Sequence, residues 1–342
     1  ALLYAARDGR TEAAMALLDG GANIDQVSGG DGSSPLLAAA MNGHFDLVLR
    51  LLERGADPNL AATNDGITPL FAIINTRWGN RSEYPQPRAH DNTEAEYLQT
   101  AEALLKAGAN PNARLTKNLW SFDHNHILGQ ELTGATSMWR AAFAMDVEML
   151  RLLGSHGADP NIPVSLPELG MRLGRMPDSR TDDDSGLPIL PAGTPDTYPV
   201  QMAAGAGHVG FAASALHQAP DGALESVKYL VEEFNVDVNV KDAWGYTPLH
   251  YAAAWAQDEL VSYLVSKGAD VQARTRLGQT TVDMAMGGYR SYYMAEYYPA
   301  TEALLKGLGA TVECPDLHFG GTGYVCPGAV ANGATDYRAL GL

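Results

Sequence analysis

Apolar residues fall into two kinds of short helical stripe that alternate along the chain. One kind is compact and alanine-rich, and opens on Ser, Thr or Tyr, often before proline. It recurs as SPLLAAA from Ser34, TPLFAII from Thr68, TSMWRAA from Thr136, YPVQMAA from Tyr198, TPLHYAAA from Thr247 and TTVDMAM from Thr280. The other kind pairs apolar residues and runs into glycine. It recurs as ALLDGGANID from Ala16, RLLERGADPN from Arg50, ALLKAGANPN from Ala103, RLLGSHGADPN from Arg151, YLVEEFNVDVN from Tyr229, YLVSKGADVQ from Tyr263 and ALLKGLGATV from Ala303.

Each stripe predicts an element for a mechanical reason. Thr followed by Pro supplies a helix cap, then a first helical residue whose missing N–H would have had no partner. The alanines behind it, Ala38 to Ala40, Ala141-Ala142, Ala203-Ala204 and Ala252 to Ala254, let neighbouring helices approach closely. Leu51-Leu52, Leu104-Leu105, Leu230-Val231 and Leu304-Leu305 predict a second helix with one buried stripe. Gly21, Gly55, Gly108, Gly157, Gly268 and Gly309 stand where a left-handed residue ends that helix, and Asn235 takes the place in the fifth copy.

Two signatures recurring in one order over about residues 1 to 312 resemble ankyrin repeats. The resemblance implies an all-α repeat solenoid, built of helix-turn-helix pairs with extended finger loops and irregular insertions. One such repeat cannot cover its own apolar face, so stability resides between neighbours. It also implies a non-enzymatic scaffold that presents fingers and inner helices to another protein. On that basis Asn64, Trp120, Phe122, Trp139, Trp244, Arg274 and Leu277 are the expected partner contacts, with Trp139 also readable as inner-helix core.

Spacing locates the decorations. Gly55 to Thr68 is 13 positions, whereas Gly108 to Thr136 is 28 and Gly157 to Tyr198 is 41, so two adjacent fingers are enlarged. Further loops separate the two helices of alternate repeats, which places insertions near 76–94, 115–132, 165–196, 212–224 and 287–298. Long loops cost slowly growing closure entropy and tend to carry function where they persist. The loop after Thr76 offers Arg77, Trp78, Arg81, Tyr84 and Arg88, a basic-aromatic patch suited to an acidic neighbour or to packing on the adjacent repeat. Residues 313–342 form a glycine-rich tail holding both cysteines, Cys314 and Cys326.

Charge narrows the partner. Lys plus Arg is 23 against 40 for Asp plus Glu, a formal net charge of -17, which opposes phosphate backbones and anionic lipid. No apolar run of 18 residues predicts membrane insertion, and the expected partner is another protein within a larger assembly. The chain opens at Ala1 without Met, and ALLYAA carries no polar outer cap, so upstream residues or a partner are expected over that end. Linking Cys314 to Cys326 would close a short loop worth about 3 kcal/mol in the chain-entropy picture. A disulfide makes sense in an oxidising compartment, hence a periplasmic or extracellular expectation, with a cytoplasmic chain carrying two chance thiols as the alternative.

No cofactor is expected. A metal or enzymatic site in the insertions is the competing class, with Asp123, His124 and His126 as its candidates, although no further ligand stands at a useful spacing. Asp182, Asp183 and Asp184 lack the alternating spacing of a calcium loop. Gly205 to Gly210 spells a dinucleotide fingerprint, but it follows a predicted helix where that mechanism needs a strand.

Overall fold

The computed structural model describes residues 1–78, 94–119, 132–168, 185–207, 219, 222–288 and 297–314. The chain forms two compact units: residues 1–124, 132–162 and 215–219 in the first, and 125–131, 163–214 and 220–342 in the second. Among the described residues, regular structure is helical, with two isolated β-bridges, Ser165 to Pro195 and Arg274 to Thr280.

In the first unit the pairs are α1 (Leu2–Arg7) with α2 (Thr11–Asp19), α3 (Pro35–Met41) with α4 (Phe45–Glu53), α5 (Pro69–Arg77) with α6 (Glu94–Lys106), and α7 (Ser137–Phe143) with α8 (Val147–Ser155). First helices pack on first helices, α1 on α3 on α5 on α7, and α4, α6 and α8 follow suit. The second unit repeats this with α9 (Pro199–Ala203) and α10 (Gly222–Phe234), then α11 (Pro248–Ala254) and α12 (Asp258–Ser266). Its last pair is α13 (Thr281–Asp283), which runs into a π-turn over Met284–Gly288, and α14 (Pro299–Gly307).

The caps stand where the sequence puts them. Ser34 Oγ accepts the Leu37 N–H at 3.1 Å, Thr68 Oγ1 that of Phe71 at 3.3 Å, and Thr136 Oγ1 that of Trp139 at 3.2 Å. A cap of this kind is worth about 1 kcal/mol. At the other end Gly55 (φ 85°) and Asn235 (φ 54°) turn left-handed as the second helix stops. The Gly55 and Ala56 amides then satisfy the Leu52 and Leu51 carbonyls. Helix α9, not a strand, precedes Gly205 and Gly207, so the dinucleotide reading loses its structural context here.

Neighbouring repeats are joined by an amide ladder. Asn59 Nδ2 donates to the Gly108 carbonyl at 2.9 Å while its Oδ1 accepts the Asn110 N–H at 2.8 Å. Asn112 does the same to Gly157 (2.9 Å) and Asp159 (2.8 Å), and Asn239 to Gly268 (3.0 Å) and Asp270 (2.8 Å). Gln272 Nε2 reaches the Gly309 carbonyl at 2.6 Å. At these four positions, Asn59, Asn112, Asn239 and Gln272, the side chain two residues beyond the Asp or Asn of the finger pairs with the carbonyl of the next repeat's terminal glycine. That recurrence gives the ADPN motif a mechanical reason.

Candidate protein interface

Two features set which surface can meet a partner: the fingers, and the burial of the first helices. All residues of α7, α9 and α11 are buried. A face of small helices usually readable as contact surface is therefore closed in these repeats. Trp139 is 0% exposed and stacks on Phe143 with ring centroids 5.8 Å apart. This corrects the expectation that Trp139 is a contact. It occupies the fourth position of its opening motif, where Leu37 and Phe71 are likewise buried, and it serves as core.

In the second unit the same position is polar and binds the next finger. Gln201 Oε1 accepts the Tyr198 N–H at 2.8 Å and its Nε2 donates to the Tyr246 carbonyl at 2.7 Å. His250 Nδ1 accepts from Thr247 N–H at 3.0 Å, and burial pushes its pKa down to about 3, so the ring is neutral. Its Nε2 is buried toward the backbone of Gln279 and Ala273 without closing a well-aligned bond. Asp283 inverts the polarity. Its Oδ2 accepts Thr280 N–H and its Oδ1 accepts the amides of Glu313 and Cys314 at 3.2 and 3.1 Å, which seats residues 313–314 on the last repeat.

The fingers are hairpins whose tips touch in series. Asp31 O accepts from Thr63 N–H, Asp65 O from Thr116 N–H and Trp244 O from Arg276 N–H, each at 2.7 Å. The first enlarged finger pairs Leu115 with Ala135, and the second pairs Val164 with Thr197 and Leu166 with Thr194, so both extra lengths leave from the tip. Part of the second returns across its unit, where Arg276 Nη2 donates to the Pro188 carbonyl. At the base of the fifth finger Asp242 is buried and accepts the Trp244 and Tyr246 amides at 2.9 Å and the Tyr251 hydroxyl at 2.5 Å. Burial, then the Asp196 carboxylate, push its pKa up to about 8 against those donors.

The remaining expected contacts divide by exposure. Asn64 is exposed at a finger tip, Trp244 and Arg274 are half-buried, and Arg274 pairs with Glu313 at 2.7 Å. Leu277 is 6% exposed, which corrects its assignment as a contact to one of finger packing. Trp120, Phe122, Asp123, His124, His126, the Asp182 to Asp184 run and Cys326 lie outside the described residues. Among the described residues no group of three or more His, Cys, Asp or Glu is placed to hold a metal ion. No helix among them is long and apolar enough to cross a membrane.

Sequence reasoning missed a buried polar cluster in the first unit. Arg140, 1% exposed, donates through Nε to Asn75 Oδ1 at 2.9 Å and through Nη2 to the Trp78 carbonyl at 2.8 Å. Trp78 Nε1 in turn donates to Asp146 Oδ2 at 2.7 Å, and Asp146 caps α8 through the Met149 N–H. Burial pulls the Arg140 pKa down to about 10, with the neighbouring Tyr97 and Asp146 opposing. A lone Arg in an alanine-rich helix reads as surface, and its partners lie 62 to 65 residues away.

Known proteins agree with this architecture. The ankyrin repeat family (three copies) matches residues 1–81 and 196–275. A 78-residue stretch is 37% identical to protein phosphatase 1 regulatory subunit 12A of Mus musculus, 23% of this chain and 8% of that protein. Protein phosphatase 1 regulatory subunit 27 of Homo sapiens is 37% identical over 78 residues, 22% of this chain and 50% of it. Alpha-latrocrustotoxin-Lt1a of Latrodectus tredecimguttatus is 38% identical over 71 residues, 21% of this chain and 5% of the toxin. The chain thus spans half or less of the length of these relatives. The crystal structure of the human ASB11 ankyrin repeat domain shares the fold, with TM-score 0.54 at 20% identity over 91% of this chain and 98% of that one. Repeat signature, helix pairing and family match converge: the chain is an ankyrin repeat protein, of a kind that works through protein–protein interaction.

Proposed function

We propose that this chain is a non-enzymatic recognition scaffold that grips a protein partner with its finger tips and tip extensions. The observation that carries the reading is the complete burial of α7, α9 and α11 beside fingers that are exposed or half-exposed at Asn64, Trp244 and Arg274. With these three helices closed, the fingers beside them are where a partner can be read. Trp and Arg are the residue types that most often dominate interface energies. The similarity to phosphatase regulatory subunits supports a partner that is itself a protein. Trp120 and Phe122, in the extension of the third finger, belong to the same proposed surface.

In the same reading the chain is a structural subunit of an extracytoplasmic assembly, periplasmic or extracellular, with Cys314 joined to Cys326. Cys314 is buried against the last repeat, which suits a fixed covalent anchor for the tail. The test is photo-cross-linking in the native source with a benzophenone amino acid placed at Asn64, Trp244 or Arg274, and at the buried Leu37 as the control. Expected are adducts to one protein from the tip positions and none from Leu37. Tip positions that yield no adduct, or the same adducts as Leu37, would overturn the proposal.

A further inference from the structure

We infer that Arg77 and Trp78, at the end of α5, form a preorganised anchor for a carboxylate side chain of an acidic partner peptide. The Arg77 guanidinium lies over the Trp78 ring, 4.8 Å from its centroid. Both side chains are half-buried, the Arg77 Nε is buried with no hydrogen-bond partner, and among the described residues Arg77 joins no ion pair. With Nε closed off, the guanidinium meets a ligand through its two Nη groups, and the best-matched ligand is a planar carboxylate that accepts two parallel N–H bonds from them.

What makes the pair an anchor is its rigidity. The Trp78 indole is held at Nε1 by Asp146, 68 positions away, and its carbonyl is held by Arg140 Nη2. Asp146 is itself fixed as the cap of α8, so the orientation of the ring is dictated by the following repeat. An aromatic held in this way loses little side-chain freedom when a partner arrives.

Charge decides the ligand class. The chain carries -17 overall, yet that field is screened beyond roughly 8 to 10 Å at physiological salt, and among the described residues of this cluster the cations are Arg77 and Arg140, with Asp146 engaged by Trp78. A singly charged carboxylate is admitted by this balance more readily than a dianionic phosphate or a nucleic-acid backbone. The inference is independent of the finger reading, because it concerns the opposite ends of the first helices from the fingers.

The test follows the indole Nε1–H signal of Trp78 by nuclear magnetic resonance in the full chain. N-acetyl hexaglutamate is titrated, with hexaglutamine and inorganic phosphate in parallel. Hexaglutamate is expected to move the signal saturably, Arg77→Gln to weaken binding at least about tenfold, and Arg77→Lys, which keeps the charge without the fork, to fall between. Asp146→Asn, which leaves Arg77 intact, is expected to shift the free indole signal and weaken the peptide. An unmoved signal, an unchanged midpoint in a folded Arg77→Gln chain, or saturation by phosphate in place of peptide would overturn the inference.

Discussion

Replacing Arg140 by Met probes how the first unit is held together. The two side chains are close in length, so the change removes a cation and its donors without opening a large cavity. Lost are the bonds to Asn75 Oδ1 at 2.9 Å and to the Trp78 carbonyl at 2.8 Å, which leave two acceptors to be satisfied elsewhere. Lost too is the positive charge that faces buried Asp146. Breaking one side of a buried charge cluster costs about 3 to 5 kcal/mol, and a value near the lower end, about 3 kcal/mol, follows because Trp78 Nε1 still bonds Asp146. Urea unfolding followed by tryptophan fluorescence and circular dichroism reads this as an earlier transition. Asp146→Ser keeps a helix cap but removes the opposing charge, so the double variant should recover part of the loss and fall short of additivity. A single-variant cost below about 1 kcal/mol, or strictly additive costs, would refute the cluster as a coupled unit.

Three further outcomes are expected. Because the folded-state pKa of Asp242 lies above its unfolded value, the native form retains a proton that the unfolded form releases. Stability of the second unit should therefore fall as pH rises from about 4 to about 8, by up to about 1.4 kcal/mol per pH unit, and Asp242→Asn should flatten that slope in pH-dependent urea melts. Asn112→Ala removes two bonds to the next repeat and should cost about 1 to 2 kcal/mol in the same assay; no change would discard the amide ladder as a source of cohesion. Asp283→Ala should accelerate hydrogen exchange at the Glu313 and Cys314 amides by about tenfold or more while leaving the α11 amides unaltered.

Elements whose cause is local could be read from the sequence. Thr68-Pro69 announces a cap and a first turn, and Gly55 or Asn235 a left-handed stop, because each depends on residues within one turn of itself. What stayed hidden depends on partners far along the chain. Trp139 reads equally as a partner contact and as inner-helix core until α7 is seen to be buried all round, and Arg140 reads as a surface charge until Asn75 and Trp78 are brought beside it. Asn59, Asn112 and Asn239 were visible as a recurring letter, but their bidentate grip on the next repeat needs the repeat spacing in three dimensions. Asp283 takes the fourth position of its motif and accepts backbone N–H groups there, where Gln201 donates to a carbonyl, a difference that depends on what the chain brings beside each.

The central claim, recognition by finger tips beside the sealed helices α7, α9 and α11, is tested most directly by hydrogen exchange of the full chain with and without the protein captured by cross-linking. Added protection is expected at residues 63–66, 243–246 and 274–277, with the amides of α7 and α11 unchanged. Protection gained on α7 or α11 while the tips exchange as in the free chain would contradict the account.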